Sequence, residues 1–367
     1  MNMAKEKVKG QDEEIKELVK GLRSEFGNES ICEGIEDGEI KPCESISTRC
    51  LSLDLALGVG GIPRGRVIEI YGPESSGKTT VGLTIIAEAQ AKGLHAALLD
   101  VEHGCDPVYM RAIGCNLKRL LFSQPDNAEQ ALNMVMKMAQ SGKIGLVVLD
   151  SVAALVPKAE LEGEVGQQHI GAQARLMSQT LRKLVGIASK TNTTVVFINQ
   201  IREKIGMMMP GMSNEVMPGG RALKFYSSVR MDIRRIGSIT VKDGKIGNET
   251  RVKVVKNKVA PPFREAKFQI IFGSGISYVG NVLDLGIMYG VIEKSGSWLS
   301  FGSQRLGLGK QPAIEVLEKN TEWFKEIEKK VRDVIFNKPK EGAVTTQEAT
   351  EASGDVVGST EDEVVET

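Results

Sequence analysis

The 367-residue chain has no excess of either charge: lysine plus arginine and aspartate plus glutamate both number 47. Net charge therefore gives no pointer to nucleic acid, and any such site must be a local patch. The five cysteines (Cys32, Cys43, Cys50, Cys105 and Cys115) are odd in number and form no C-x-x-C pair. That excludes a disulfide scaffold and zinc fingers, and fits reduced thiols in the cytosol. No apolar run approaches a membrane span, and the N-terminus is charged rather than signal-like. A soluble, cytoplasmic protein with no membrane partner is expected. No repeat recurs at solenoid periods. The length suffices for one large core and a smaller satellite.

The strongest signal is the stretch Arg66 to Val81, RVIEIYGPESSGKTTV. Val67, Ile68 and Ile70 form a short β-branched run, the mark of a buried parallel strand. Gly72, Pro73, Glu74, Ser75, Ser76, Gly77, Lys78 and Thr79 then fit G-x-x-x-x-G-K-[ST], and Thr80 continues into a helical stretch. Strand, loop and helix in that order are the context a phosphate-binding loop requires. Gly72 and Gly77 let backbone N–H groups face phosphate oxygens. Lys78 reaches the β- and γ-phosphates, Thr79 ligates Mg²⁺, and the helix start adds its positive dipole end. ATP with Mg²⁺ is the expected ligand.

Three polar residues sit at strand ends, and the carboxyl ends of parallel strands converge on the ligand crevice. Asp150 ends the run Ile144 to Asp150 and holds Mg²⁺, directly or through water. Glu102 follows the strand His95 to Asp100. There it can orient and deprotonate water, so hydrolysis is expected rather than transfer to an alcohol. Gln200 ends the strand Thr193 to Gln200, where an amide can bond the γ-phosphate and report its loss.

Helices alternate with these strands, so the fold is α/β with a mainly parallel, twisted sheet. Asp106-Pro107 caps and opens one helix. Asp126 with Glu129 marks another, running to Gln140. A longer helix covers Ala172 to Lys190. Residues 11–26 form an amphipathic helix that packs on its own domain or on a neighbouring copy. Residues 202–221 have prolines, glycines and no period, and read as a long functional loop. Val229, Met231, Ile233, Val252 and Val254 lie on strands added antiparallel to the sheet. Val291 to Phe301 reads as a hairpin around Ser295-Gly296, and a last helix carries Trp323, Ile327, Val331 and Val334. The expected domains are an N-terminal segment (1–39), an ATPase core (40–276), a small α+β domain (277–337) and a disordered acidic tail (338–367).

These blocks resemble the bacterial RecA recombinase family: GPESSGKTT, LLDVEHGCD, VVLDSVAALVPKAELEGE, MSQTLRKL, NQIREKIG, GGRALKFYSSVRMDIRR and VVKNKVAPPF, in that order. The resemblance spans about 10–335. It implies a DNA-dependent ATPase that forms a helical filament on single-stranded DNA, pairs it with homologous duplex and exchanges strands. It also implies that the protein promotes self-cleavage of the SOS repressor. On matching positions, Glu102 is the catalytic glutamate and Gln200 the γ-phosphate switch. Asp106 and Tyr109 contact adenine. Lys224, Lys256 and Lys258 reach the neighbouring subunit's ATP, as an arginine finger does. The KNK spacing puts Lys256 and Lys258 on one face of a strand. Phe225 is an interface aromatic coupling ATP to DNA.

The resemblance assigns DNA to two loops, about 162–171 and 202–221. Ile170, Gly171, Arg175, Ser178 and Arg182 match DNA-contacting positions in and after the first, and Gly219 and Gly220 match a backbone contact to phosphate. Aromatics are absent from both loops, so phosphate contacts should dominate over base stacking. The second loop departs from the family: it is methionine-rich and about two residues longer, with Arg221 where Asn is common. Gly104-Cys105 replaces the family's Ala-Leu. Two rival classes share the phosphate loop: a hexameric helicase, which needs an accessory domain absent here, and a small-molecule kinase, which predicts no DNA stimulation.

Overall fold

The computed structural model describes residues 2–27, 31, 43–164, 171–203, 215–241 and 244–336. Cys32, Ile170, most of both expected DNA loops and the expected tail lie outside the described residues. The chain divides into two units, Met1–Asn281 and Val282–Thr367.

The first unit is built on a sheet of nine strands among the described residues. Its order is Gly275–Ile276, Glu265–Ile271, Gly244–Asn257, Val229–Val241, Val67–Gly72, Thr194–Gln200, Leu146–Asp150, Ala96–Asp100 and Leu120–Ser123. The last six run parallel. The strands from Val229 back to Gly275 are joined antiparallel. One expectation is corrected here, and one strand is new. Val229–Val241 is not an antiparallel addition: it pairs parallel with Val67–Gly72 and antiparallel only with Gly244–Asn257. The edge strand Leu120–Ser123 was not expected, because its half-exposed residues carry no buried run.

Both sheet faces are covered, and successive residues feed opposite cores. Val196 and Ile198 face a cluster with Val81, Ile85 and Ile86 of the helix Lys78–Ala91. Val195 and Phe197 face a second cluster with Leu132 and Val135 of the helix Ala128–Gln140 and Leu181 and Leu184 of the helix Ala172–Thr191. This double burial explains why the parallel strands read as unbroken apolar runs.

The helix Ala128–Gln140 is capped by Asn127, not Asp126. Asn127 Oδ1 accepts from Gln130 N–H at 2.8 Å, and Gln130 Oε1 accepts in return from Asp126 N–H at 2.9 Å. Glu129 accepts instead from Lys158 N–H. The N-terminal helix spans Asn2–Phe26, longer than expected, because the Lys/Glu-rich residues before Gln11 are good helix formers. Ile15, Leu18 and Phe26 on it are 54%, 60% and 66% exposed.

Strand register also buries a charged pair. Arg230 lies opposite Glu69 across the parallel ladder, and its Nε donates to Glu69 Oε2 at 2.5 Å. Both residues are at most 5% exposed, Arg230 sits over the Tyr71 ring, and Asn199 Nδ2 also donates to Glu69. Arg230→Ala leaves an unpaired buried carboxylate and lowers stability by about 3–5 kcal/mol in urea unfolding. Adding Glu69→Gln to that variant restores part of the loss.

In the second unit, Glu293–Ser295, Trp298–Phe301 and Gln304–Leu308 form an antiparallel sheet. The first turn lies at Gly296-Ser297, one residue later than expected. Leu299, Phe301 and Leu306 are buried on this sheet, as are Ala313, Ile314 and Leu317 on the helix Lys310–Lys319, and Ile327 and Val331 on the helix Thr321–Phe336.

Candidate functional site

The carboxyl ends of the central strands meet at one edge. Register sets Gly72 beside Gln200 and Asp100 beside Asp150. Gly72 must be glycine, since a Cβ there would lie 2.0 Å from the Ile233 carbonyl oxygen. Gly77, at φ +97°, bends the chain into the helix Lys78–Ala91. At Gly82 a Cβ would meet Ile198 Cδ1 at 2.9 Å, so the helix lies close on the sheet.

A cleft of about 440 Å³ opens over this loop. It is lined by Glu74 to Thr80 and by Glu102, Tyr109, Asp150 and Gln200, so most of the expected nucleotide residues are brought together. Lys78 is buried and its Nζ donates to Pro73 O at 2.6 Å. Burial pushes its pKa down, against the pull of Asp150, Glu102 and Glu74. Ser76 Oγ donates to the same carbonyl. Thr79 Oγ1 donates to Asp150 Oδ2 at 2.6 Å. Burial drives the Asp150 carboxyl up to about 6, opposed by the Thr79 bond and raised further by Glu102 and Asp100.

That pair fits Mg²⁺. A buried carboxylate and a hydroxyl face the phosphate loop, and no group of three or more His, Cys, Asp or Glu among the described residues could cage a metal alone. Mg²⁺ is usually held this way, by one or two protein oxygens with phosphates and water.

Glu102 and Gln200 touch. Gln200 Nε2 donates to Glu102 Oε1 at 2.6 Å, and the Ser151 hydroxyl donates to the same oxygen. The Glu102 backbone is held as well: Val101 and Glu102 N–H donate to Asp150 O. Beyond it, Gly104 and Cys105 N–H donate to the Asp100 carboxylate, each at 3.2 Å. Burial, then Asp100, pushes the Cys105 thiol to about 12, so it stays protonated. Nothing in the structure explains the Gly104-Cys105 replacement itself.

Asp106 does not line the cleft. Its carboxylate caps the helix Pro107–Ile113, accepting from Val108 and Tyr109 N–H. It thereby sets Tyr109, whose hydroxyl meets Thr80 Oγ1 at 2.8 Å. Three lining residues were missed: Asn248, Ile270 and Phe272. They sit on the antiparallel strands and at the end of one, where no local pattern announces a ligand. Asn248 Oδ1 is buried and finds no hydrogen-bond partner among the described residues, an acceptor that a ligand can satisfy. Phe272, half exposed, and Tyr109 offer ring faces for a base.

The expected trans-acting lysines lie away from this cleft. Lys256 Nζ donates to Lys224 O and Phe225 O at 2.8 and 2.9 Å, at the end of the helix Ala222–Tyr226. Burial, then the like charge of Lys258, lowers Lys256. The strand ends at Asn257, so strand alternation does not reach Lys258. Lys224, Lys258 and Phe225 are exposed, Phe225 by 63%.

On the helix Ala172–Thr191, Arg175, Ser178 and Arg182 share the face opposite buried Met177, Leu181 and Leu184. Gly171 stands at its N-cap. The second loop is closed at its base. Arg202–Glu203 pairs antiparallel with Glu215–Val216, and Arg234 donates two bonds to the Glu215 carboxylate at 2.7 and 2.8 Å. Gly219 and Gly220 are left-handed. Gly219 N–H is already committed, donating to Gln173 Oε1 at 3.0 Å. Arg221 stands at the next helix's N-cap and its side chain makes no capping bond, where Asn would cap well.

Comparison with known proteins agrees with this geometry. The RecA N-terminal domain family matches residues 13–277, and the RecA C-terminal domain family matches 280–335. "Protein RecA" of Clostridium perfringens is 52% identical over 332 residues, 90% of this chain and 92% of its own length. That of Rubrobacter xylanophilus is 55% identical over 320 residues, 87% and 91% of the two chains. That of Rhodospirillum rubrum is 54% identical over 318 residues, 87% and 86%. On matches of this extent, carried across the phosphate loop, the strand-end carboxylates and the small C-terminal sheet, the chain belongs to the RecA family of DNA recombination and repair proteins.

Proposed function

We propose that the protein is a DNA-dependent ATPase that assembles as a helical filament on single-stranded DNA, pairs it with homologous duplex and exchanges the strands. The backbone of residues 74–78 with Lys78 binds the triphosphate of ATP, and Thr79 and Asp150 hold Mg²⁺. When bound, Mg²⁺ neutralises charge on the β- and γ-phosphates. Glu102 takes the proton of the attacking water. Lys224, Lys256 and Lys258 of the next subunit supply positive charge at the developing phosphate, and exposed Phe225, Ile15, Leu18 and Phe26 serve the subunit seam. Arg175, Ser178, Arg182 and the backbone N–H of Gly220 hold DNA phosphates, with residues 162–171, Ile170 and Gly171 among them, completing that surface, while the Gly219 N–H stays with Gln173. On the same reading the cytoplasmic filament promotes self-cleavage of the SOS repressor.

The observation that carries this reading is the bond from Gln200 to Glu102. Gln200 is two residues from the ladder that closes the second loop. A side chain that releases the water-activating carboxylate to meet the γ-phosphate therefore also pulls on the loop. Such phosphate-sensing switches order or release a neighbouring segment. ATPase activity measured with and without poly(dT) tests it. Strong stimulation is expected, and a rate indifferent to poly(dT) ends the proposal.

A further inference from the structure

Gln173 is the second residue of the helix Ala172–Thr191 and is half-buried. Its Nε2 donates to Val152 O at 2.7 Å and Leu155 O at 3.0 Å. Its Oε1 accepts from Gly219 N–H at 3.0 Å. Two carbonyls and one N–H satisfy the amide in only one orientation, because a flipped amide would set oxygen against both carbonyls. One side chain thus joins three segments: the turn after Asp150-Ser151, the helix bearing Arg175, Ser178 and Arg182, and the far end of the second loop.

The packing around it is tight. A Cβ on Gly219 would meet Val152 Cγ1 at 2.9 Å, and one on Gly220 would meet Ala174 Cβ at 2.9 Å. The Pro218–Gly219 peptide is held at both ends, since Pro218 O accepts from Asn199 Nδ2 at 3.2 Å. Asn199 precedes Gln200 and accepts from its N–H. The turn that Gln173 grips begins at Ser151, whose hydroxyl holds Glu102. The contact at Val152 therefore lies two residues from Asp150, and the one at Gly219 leads through Pro218 and Asn199 to Gln200.

We infer that Gln173 is a positioning residue that couples the nucleotide site to the DNA-gripping loop. It fastens the turn behind Asp150 and Ser151 to the Gly219 amide, so that the two move together. This rests on the proposed DNA-dependent ATPase. Coupling between two ligands is reciprocal and is commonly 5–150-fold in affinity.

The test measures the affinity of the full-length protein for a dT oligonucleotide with and without a non-hydrolysable ATP analogue. The parent protein should bind DNA at least about tenfold tighter with the analogue. Gln173→Met keeps the length and removes all three bonds. Its ratio should fall to within about twofold of one, with analogue affinity in the absence of DNA unchanged. Gln173→Glu keeps the acceptor for Gly219 but loses both donations to the turn, and its ratio should fall too. It also serves if the methionine variant does not fold. A general structural defect would weaken each ligand alone and leave the ratio standing. A parental ratio in either folded variant overturns the role of Gln173. A parent ratio of one overturns the DNA-dependent ATPase reading along with it.

Discussion

Glu102→Gln should bind ATP and single-stranded DNA at nearly parental affinity while turning over about 10²–10⁴-fold more slowly. Its carboxylate, fixed at the strand ends by Ser151 and Gln200, is placed to accept a proton from water. Lys78 and Thr79 face the phosphate loop, and Asp150 is bound by Thr79. Glutamine keeps an oxygen for the Ser151 hydroxyl and for Gln200 Nε2. The local frame therefore survives and only the basicity is lost. Single-turnover hydrolysis with poly(dT), beside analogue binding, separates the two. A parental rate would show that another group activates the water.

Lys258→Ala should cost more, about 10³–10⁵ in turnover, if its ammonium acts across the subunit seam as an arginine finger does. Lys258 suits this role better than Lys256, whose ammonium is occupied by the Lys224 and Phe225 carbonyls of its own chain. Lys256 adds its charge from a fixed position, because it also holds the short helix that presents Lys224 and Phe225. The distinguishing measurement mixes Lys258→Ala with Glu102→Gln. Some seams in the mixed polymer then pair an intact Glu102 with an intact Lys258, and activity returns above that of either variant alone. No recovery on mixing would mean that both groups act within one subunit.

The nucleotide half of the site was legible because its determinants are local. A buried strand, a glycine loop and a helix follow one another in sequence, and Asp150, Glu102 and Gln200 each lie at or just past the end of an apolar run. Long-range pairing was not legible. Nothing in the alternation of Val229, Met231 and Ile233 says whether that strand joins Val67–Gly72 parallel or antiparallel. Asn248 and Phe272 line the cleft only because the strands Gly244–Asn257 and Glu265–Ile271, far along the chain from the phosphate loop, pair into the same sheet. Nothing local marks Gln173, since its three partners lie 18 to 46 residues away. The cap at Asn127 was misplaced by one residue because Asp126 and Asn127 are equally good caps and the choice rests on Gln130.

The short ladder at Arg202–Glu203 and Glu215–Val216, braced by Arg234, sets where the second loop leaves and re-enters the domain whatever lies between. Loop closure costs only about 0.6 kcal/mol for each doubling of length. The tip can therefore be lengthened or rewritten without disturbing the sheet beneath it. In this chain the sequence between the two strands is rich in methionine, and the ladder fixes its ends regardless.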